Sequence, residues 1–129
     1  HNLAYWKREG CLAAGPSAHA FDPAPGEAGM RWKNVSSLHR YAELLRQGVL
    51  PVEWTELLNP EEAELERWML ALRLSEGFPE TWLTDSARAR KARLLREQGL
   101  LEAHPSLSGN LRLTARGFAL SDQVIATLA

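Results

Sequence analysis

The sequence predicts a mixed α+β protein that is mostly helical. Three observations carry this prediction. Apolar residues recur at helical spacing from residue 36 to residue 98, the spacing becomes strand-like after Gly99, and the first 35 residues lack a helical pattern. With 45% hydrophobic residues among 129, the chain can build an ordinary globular core. The net charge of −1 argues against a general electrostatic attraction to nucleic acid or to anionic membranes.

The first 35 residues predict strands and loops. Residues 11–14 form a short run of small apolar residues, which predicts a buried strand that breaks at Gly15-Pro16. Residues 30–35 alternate between apolar and polar and predict a second strand. Because this region shows no core of its own and the chain starts without Met, we expect it to be the end of a larger domain that lies upstream.

Three helices are predicted between residues 36 and 98, and each has a start and a stop signal. Residues that can accept backbone N–H groups precede them, namely Ser37, Asn59, and Asp85 or Ser86. Glycines suited to a left-handed helix end follow them, namely Gly48, Gly77 and Gly99. Residues 49–58 are expected to connect the first two helices, and residues 79–83 to form a short helix before the third.

A hairpin and a last helix are predicted after Gly99. Residues 100–104 and 110–113 alternate like strands around a short loop. Thr114 is expected to cap a single final helix whose apolar face holds Phe118, Val124, Ile125 and Leu128. The order helix, short helix, helix, hairpin, helix is that of a winged-helix domain.

Cys11 is the one cysteine of the chain. A single thiol excludes an internal disulfide, and it excludes a zinc or iron–sulfur site built on thiolates of this chain alone. It is typical of a reducing compartment, so we expect a cytoplasmic protein. No apolar run approaches the roughly 20 residues needed to span a bilayer, and no membrane span is predicted.

Motifs follow one another along almost the whole chain. The first are His1-Asn2-x-x-Tyr5-Trp6, Leu12-x-x-Gly15-Pro16-Ser17-Ala18-His19 and Arg31-Trp32-x-Asn34. Later ones include Tyr41-Ala42-x-x-Leu45, Leu70-x-Leu72-Arg73-Leu74-x-Glu76-Gly77, Gly99-Leu100-Leu101 and Leu111-x-Leu113-Thr114-x-x-Gly117. In this order they resemble the oxygen-independent coproporphyrinogen III oxidase-like proteins, which are radical S-adenosylmethionine (SAM) proteins. The His-Asn-x-x-Tyr-Trp signature resembles their heme chaperone branch.

The resemblance implies two domains. Residues 1–35 would be the C-terminal tail of a radical SAM partial α/β barrel, and residues 36–129 the winged-helix-like C-terminal domain. It also implies SAM and a [4Fe-4S] cluster on a Cys-x-x-x-Cys-x-x-Cys motif that this chain lacks. The implied function is to bind heme and deliver it to acceptor proteins. The alternative is the enzyme itself, which decarboxylates coproporphyrinogen III oxidatively, so the sequence leaves open whether the protein is an enzyme.

Site residues are implied by the same resemblance. His1 would ligate heme iron, with Asn2, Tyr5 and Trp6 as its setting. Tyr5 and Trp6 could stack on a porphyrin face. The alternative is a terminal histidine without a role beside two aromatic residues that pack on a surface.

Two further groups of residues are candidates. Gly15, Ser17 and His19 follow a predicted strand end, where ligands approach the backbone of parallel α/β folds, and could contact the cofactor. Arg31 could hold a porphyrin propionate. The alternatives are a tight structural turn for the first group and a strand edge for Arg31. The sequence departs from the family at Ala13 or Ala14, where glycine is usual, and at Ala20, where serine is common.

The predicted third helix is rich in basic residues. They are Arg88, Arg90, Lys91, Arg93 and Arg96. A recognition helix on DNA phosphates is one interpretation. We favour a solvated or docking face, because acidic residues lie nearby and the chain is not basic, and we do not expect nucleic acid to be a partner. Three tryptophans, Trp54, Trp68 and Trp82, are expected in a core or an interface.

Overall fold

The structure is a computed structural model that describes residues 2–129, with the backbone alone at Asn2. The described residues form six α-helices, one short 3-10 helix and two small antiparallel sheets, which confirms the mixed α+β class. They divide into two compact units, one ending at Ala63 and the other spanning Glu64–Ala129. No helix in this described part is long and apolar enough to cross a membrane.

The first unit is built on a three-stranded sheet in the order β1-β2-β3. Its elements are α1 (Asn2–Trp6), β1 (His19–Asp22), β2 (Met30–Asn34), α2 (Leu38–Arg46) and β3 (Val52–Leu57). Ser37 caps α2 as predicted, because its side chain accepts the backbone N–H of Arg40. Gly48, with φ of +70°, follows the end of that helix.

Three predictions for this unit are wrong. The first 35 residues are not only strands and loops, because α1 is helical. Residues 11–14 are not a buried strand, since Cys11 is exposed and makes one isolated bridge with Phe21, and Leu12 is 88% exposed. Residues 49–58 are more than a connector, because β3 pairs with β2 along its length. Val52, Trp54 and Thr55 are residue types that favour strands, and the buried Pro51, which has no N–H to donate, lies just before the strand.

The predicted domain boundary after residue 35 stays a prediction. In this chain α2 and β3, which lie beyond that boundary, fall in the same compact unit as β1 and β2. One antiparallel sheet therefore contains residues from both sides of it.

The second unit packs helices around a small sheet in the order β4-β6-β5. Most of α3 (Pro60–Ala71) belongs to it, and β4 (Phe78–Pro79), the 3-10 helix (Glu80–Trp82) and α4 (Ser86–Glu97) follow. Then come β5 (Leu101–Ala103), β6 (Asn110–Leu113), α5 (Ala115–Ala119) and α6 (Ser121–Leu128). Its largest fully buried side chains are Trp68, Leu72, Phe78, Leu111, Val124 and Leu128.

Side-chain caps start the helices of this unit where the sequence predicts them. Asn59 accepts the N–H of Glu61, and Thr114 accepts that of Gly117. Asp85 accepts the N–H groups of Ala87 and Arg88, and these backbone hydrogen bonds lower the pKa of the Asp85 carboxyl. Each cap joins residues that are at most three positions apart in the chain, so the sequence alone reveals it.

The last helix departs from the prediction. It is divided into α5 and α6 at Leu120, whose φ of −112° and ψ of 25° are not helical. Val124, Ile125 and Leu128 are buried as expected, but Phe118 is 52% exposed. The break turns α6 so that its apolar side joins the core without Phe118.

The tryptophans Trp68 and Trp82 belong to or pack against the core of the second unit, as expected. Trp68 packs edge to face against Phe78 and Trp82, with ring centroids 4.9 and 5.4 Å away. Trp54 of the first unit is 39% exposed on β3 and meets the ring of His19 at 6.0 Å, so it is not a core residue.

Candidate ligand site

A cavity of about 510 Å³ lies in the first unit between α2 and one face of the sheet. Met30 and Trp32 of β2 belong to this face because side chains alternate along a strand, and Thr55 is the register partner of Trp32 on β3. Tyr41 and Leu45 of α2 close the other side. The volume falls within the roughly 300–1,000 Å³ of small-molecule sites.

The lining of this cavity is largely apolar and carries no charged side chain among the described residues. Leu50, Pro51 and Val52 add to the apolar surface that the residues of β2 and α2 contribute. Its polar groups are neutral and are those of Asn34, Tyr41 and Thr55. The site therefore suits the uncharged, apolar part of a ligand.

The loop after residue 12 is tied to this cavity through Gly15. The Gly15 N–H donates to the Tyr41 hydroxyl at 3.0 Å, and the Asn34 side-chain N–H donates to the Gly15 carbonyl at 3.0 Å. Asn34 is the buried polar residue that anchors the loop, and it also reaches the carbonyl of Ala13 at 3.4 Å. Gly15 adopts a φ of +102°, which favours glycine. Of the predicted site residues that the structure describes, Gly15 is thus the one placed beside the cavity.

Ser17 and His19 lie farther along the same loop and are exposed. Ser17 holds a left-handed φ of 60° and donates its backbone N–H to Val35. His19 opens β1 on the sheet face opposite the cavity, in register with Lys33. The three predicted cofactor contacts are therefore not brought to one point.

Arg31 also lies on the sheet face opposite the cavity. It is the register partner of Phe21 on β1 and of Glu56 on β3. Its guanidinium carbon is 6.0 Å from the centroid of the Phe21 ring. Trp32, one residue later, faces the cavity instead, so the structure separates the predicted propionate contact from the apolar site.

The predicted heme residues belong to α1. His1 and the side chain of Asn2 lie outside the described residues. Tyr5 is 64% exposed and meets Trp6 edge to face, with ring centroids 6.1 Å apart. Just beyond the helix, Arg8 donates to the carbonyl of Ala63 at 2.9 Å, which fastens α1 to the rest of the unit.

No described residue that lines the cavity belongs to the site predicted from sequence, and Tyr41 and Thr55 show why. Tyr41 enters the sequence analysis only in the motif Tyr41-Ala42-x-x-Leu45, whose residues share an apolar helix face, and Thr55 falls in the segment expected to be a connector. A tyrosine on such a face carries a hydroxyl that needs a partner, which is a weak signal of a special position. Tyr41 and Gly15 are 26 positions apart in the chain, so local sequence patterns do not reveal their contact.

The basic helix α4 of the second unit is only partly a free cationic surface. Arg88 donates from Nε to the Leu128 carbonyl at 2.8 Å and pairs with Glu64 at 2.9 Å. Its guanidinium carbon lies 5.2 Å from the Trp68 ring centroid. Arg96 is 3.8 Å from Glu80. This arrangement supports a structural role for Arg88.

Comparisons with known proteins give one consistent result. The chain is 37% identical over 128 residues to the heme chaperone HemW from two strains of Mycobacterium tuberculosis. The match covers 99% of this chain but 30% of each relative, so the chain spans about a third of their length. No family model and no solved structure matches. The resemblance predicted from the motifs is confirmed: 128 of its residues align with part of heme chaperone HemW, a radical SAM coproporphyrinogen oxidase-like protein to which the chain is similar.

Proposed function

We propose that this chain is the C-terminal portion of a heme chaperone that binds heme and passes it to acceptor proteins in the cytoplasm. The observation that carries the proposal is the 37% identity over 99% of the chain to proteins named heme chaperones. Heme is the cargo in this account and not a resident cofactor.

The described residues fit such a cargo. An exposed aromatic pair, Tyr5 and Trp6, stands on α1, and aromatic rings of this kind stack on porphyrins. An uncharged apolar cavity lies in the same unit. We assign the iron ligand to His1, whose imidazole nitrogen suits heme iron, with Asn2 beside it. Arg31 lies on the opposite sheet face from the cavity and could still pair with a propionate from there.

The residues of this chain do not fit a [4Fe-4S] cluster. Such clusters need several thiolates, and the sequence offers Cys11 alone. Gly15 also offers little to SAM, because its N–H and carbonyl already bind Tyr41 and Asn34. We assign the cluster and SAM to a radical SAM domain outside this chain, which residues 1–35 would complete.

The second unit supports a winged-helix interpretation. Helices α3 and α4, the β5–β6 hairpin and the following helices occur in the expected order, and β4 completes a sheet in the order β4-β6-β5. Since Arg88 is occupied within the unit, we propose that it serves protein contacts and not nucleic acid.

Heme transfer tests the proposal. The full-length protein would be loaded with heme and mixed with an apo heme protein whose Soret band lies at a different wavelength. We expect the band to move to the acceptor faster than it does from albumin-bound heme. A protein that cannot be loaded, or heme that never leaves it, contradicts the proposal. If a protein that fails this transfer test consumed coproporphyrinogen III in the absence of oxygen, the oxidase alternative would replace the chaperone proposal.

A further inference from the structure

We propose that the cavity beneath α2 is a second contact site for the cargo, and that it holds the apolar edge of the tetrapyrrole macrocycle away from the iron. This inference rests on the proposed function. It assigns a role to Trp32, Tyr41 and Leu45 that does not depend on an iron ligand.

Exposed apolar side chains at the rim of the cavity are accessible to a ligand. Leu12, Leu45 and Leu50 are 88%, 49% and 78% exposed, although all three line it. Helix α2 buries none of its residues fully. Covering such clustered apolar surface is favourable because it removes that surface from water.

The charge of the lining decides the class of ligand. No charged side chain of the described residues lines the cavity, so a phosphate, a nucleotide or the charged groups of SAM would lose hydration there without compensation. A heme-type macrocycle carries both carboxylates on one edge and only methyl and vinyl groups on the opposite edge. That opposite edge can enter an uncharged cavity while the carboxylates stay in water.

The aromatic walls are held in place before any ligand arrives. The Tyr41 hydroxyl accepts the Gly15 N–H, and the same glycine is fastened through its carbonyl to the buried Asn34. Trp32 is fixed in the central strand of the sheet. A rigid aromatic wall loses little conformational entropy on binding, which favours a flat ligand.

Iron-free protoporphyrin IX is the probe that isolates this site. Its binding to the full-length protein would be followed by quenching of tryptophan fluorescence. Leu45→Glu places a carboxylate at the cavity from an exposed helix position, and His39→Glu adds the same group to an exposed position of α2 that does not line the cavity. We expect Leu45→Glu to weaken the Kd at least about tenfold and His39→Glu to leave it unchanged.

A second pair of variants checks the wall itself. Trp32→Leu removes an aromatic ring from the cavity, and Trp54→Leu removes one from the other sheet face. We expect only the first to weaken protoporphyrin binding, and circular dichroism would confirm that both remain folded.

The outcomes separate the two proposals. Binding of heme and protoporphyrin by the wild type with an unchanged Kd in folded Leu45→Glu overturns the cavity assignment alone. Binding of heme without binding of protoporphyrin does the same, since all affinity then comes from the iron. Failure to bind either molecule overturns the cavity assignment together with the proposed function.

Discussion

Two glycines of the second unit, Gly77 and Gly99, allow a direct test of how its core is packed. Gly99 follows α4, whereas Gly77 closes a turn six residues beyond the end of α3, and the two share nearly the same left-handed backbone, φ of +69° and +65°. A Cβ built on Gly99 meets nothing within 4 Å. A Cβ built on Gly77 would overlap the carbonyl of Leu111 and come within 2.8 Å of the Arg112 Cα. Alanine at either position bears the same backbone cost, and only Gly77→Ala adds a collision.

The magnitudes follow from these geometries. Placing alanine in a left-handed conformation costs about 1–2 kcal/mol, and we expect Gly99→Ala to lose that much stability. Overlap with β6 adds roughly 1–3 kcal/mol, because the backbone of the central strand cannot move without disturbing the pairing of Phe78 with Leu111. Gly77→Ala should therefore lose about 2–5 kcal/mol, or fail to unfold cooperatively.

Urea unfolding followed by circular dichroism measures both variants. A free energy of unfolding that drops equally in Gly77→Ala and Gly99→Ala, within about 0.5 kcal/mol, would refute the close approach of Gly77 to β6. Gly48→Ala in the first unit, where a Cβ also meets nothing within 4 Å at a φ of +70°, supplies a further reference for the backbone cost.

Three smaller predictions concern the caps and the basic helix. Thr114→Ala should lower the free energy of unfolding by about 1 kcal/mol in urea titrations while Thr114→Ser restores it, because the hydroxyl accepts a helix N–H. The lowered pKa of Asp85 contributes stability above the unfolded-state pKa of about 3.9, and this is lost as pH falls through the lower folded value. Asp85→Asn should remove that part of the acid dependence of urea midpoints, and an unchanged dependence would contradict it. Arg88→Ala should cost about 2 kcal/mol in urea unfolding through its contacts with Leu128 and Trp68, whereas Arg90→Ala should cost at most about 0.5 kcal/mol. Equal losses would contradict a structural role for Arg88.

Features set by a few neighbouring residues are the ones the sequence predicts well. Ser37, Asn59, Asp85 and Thr114 each accept a backbone N–H two or three residues ahead, as their residue types indicate. The β5–β6 hairpin is also confirmed, since its two strands are near in the chain and alternate clearly.

Features set by distant partners are the ones it misses. β3 forms by pairing with the edge of β2, which lies some 20 residues earlier in the chain. No local pattern of residues 49–58 reveals this pairing. The cavity needs α2 to lie over β2 and needs Gly15 to reach Tyr41. The sequence likewise does not reveal that Arg31 and Trp32, adjacent in the chain, lie on opposite sheet faces, because that depends on which face α2 covers.

Heme titration of the full-length protein, followed by Soret absorbance, tests the central claim most directly. We predict saturable binding by the wild type that weakens and shifts its band in His1→Ala, with no change in His39→Ala, whose histidine is exposed on α2. An identical titration for the wild type and His1→Ala would contradict the assignment of His1 as iron ligand. The absence of saturable binding in the wild type would contradict the heme chaperone account itself.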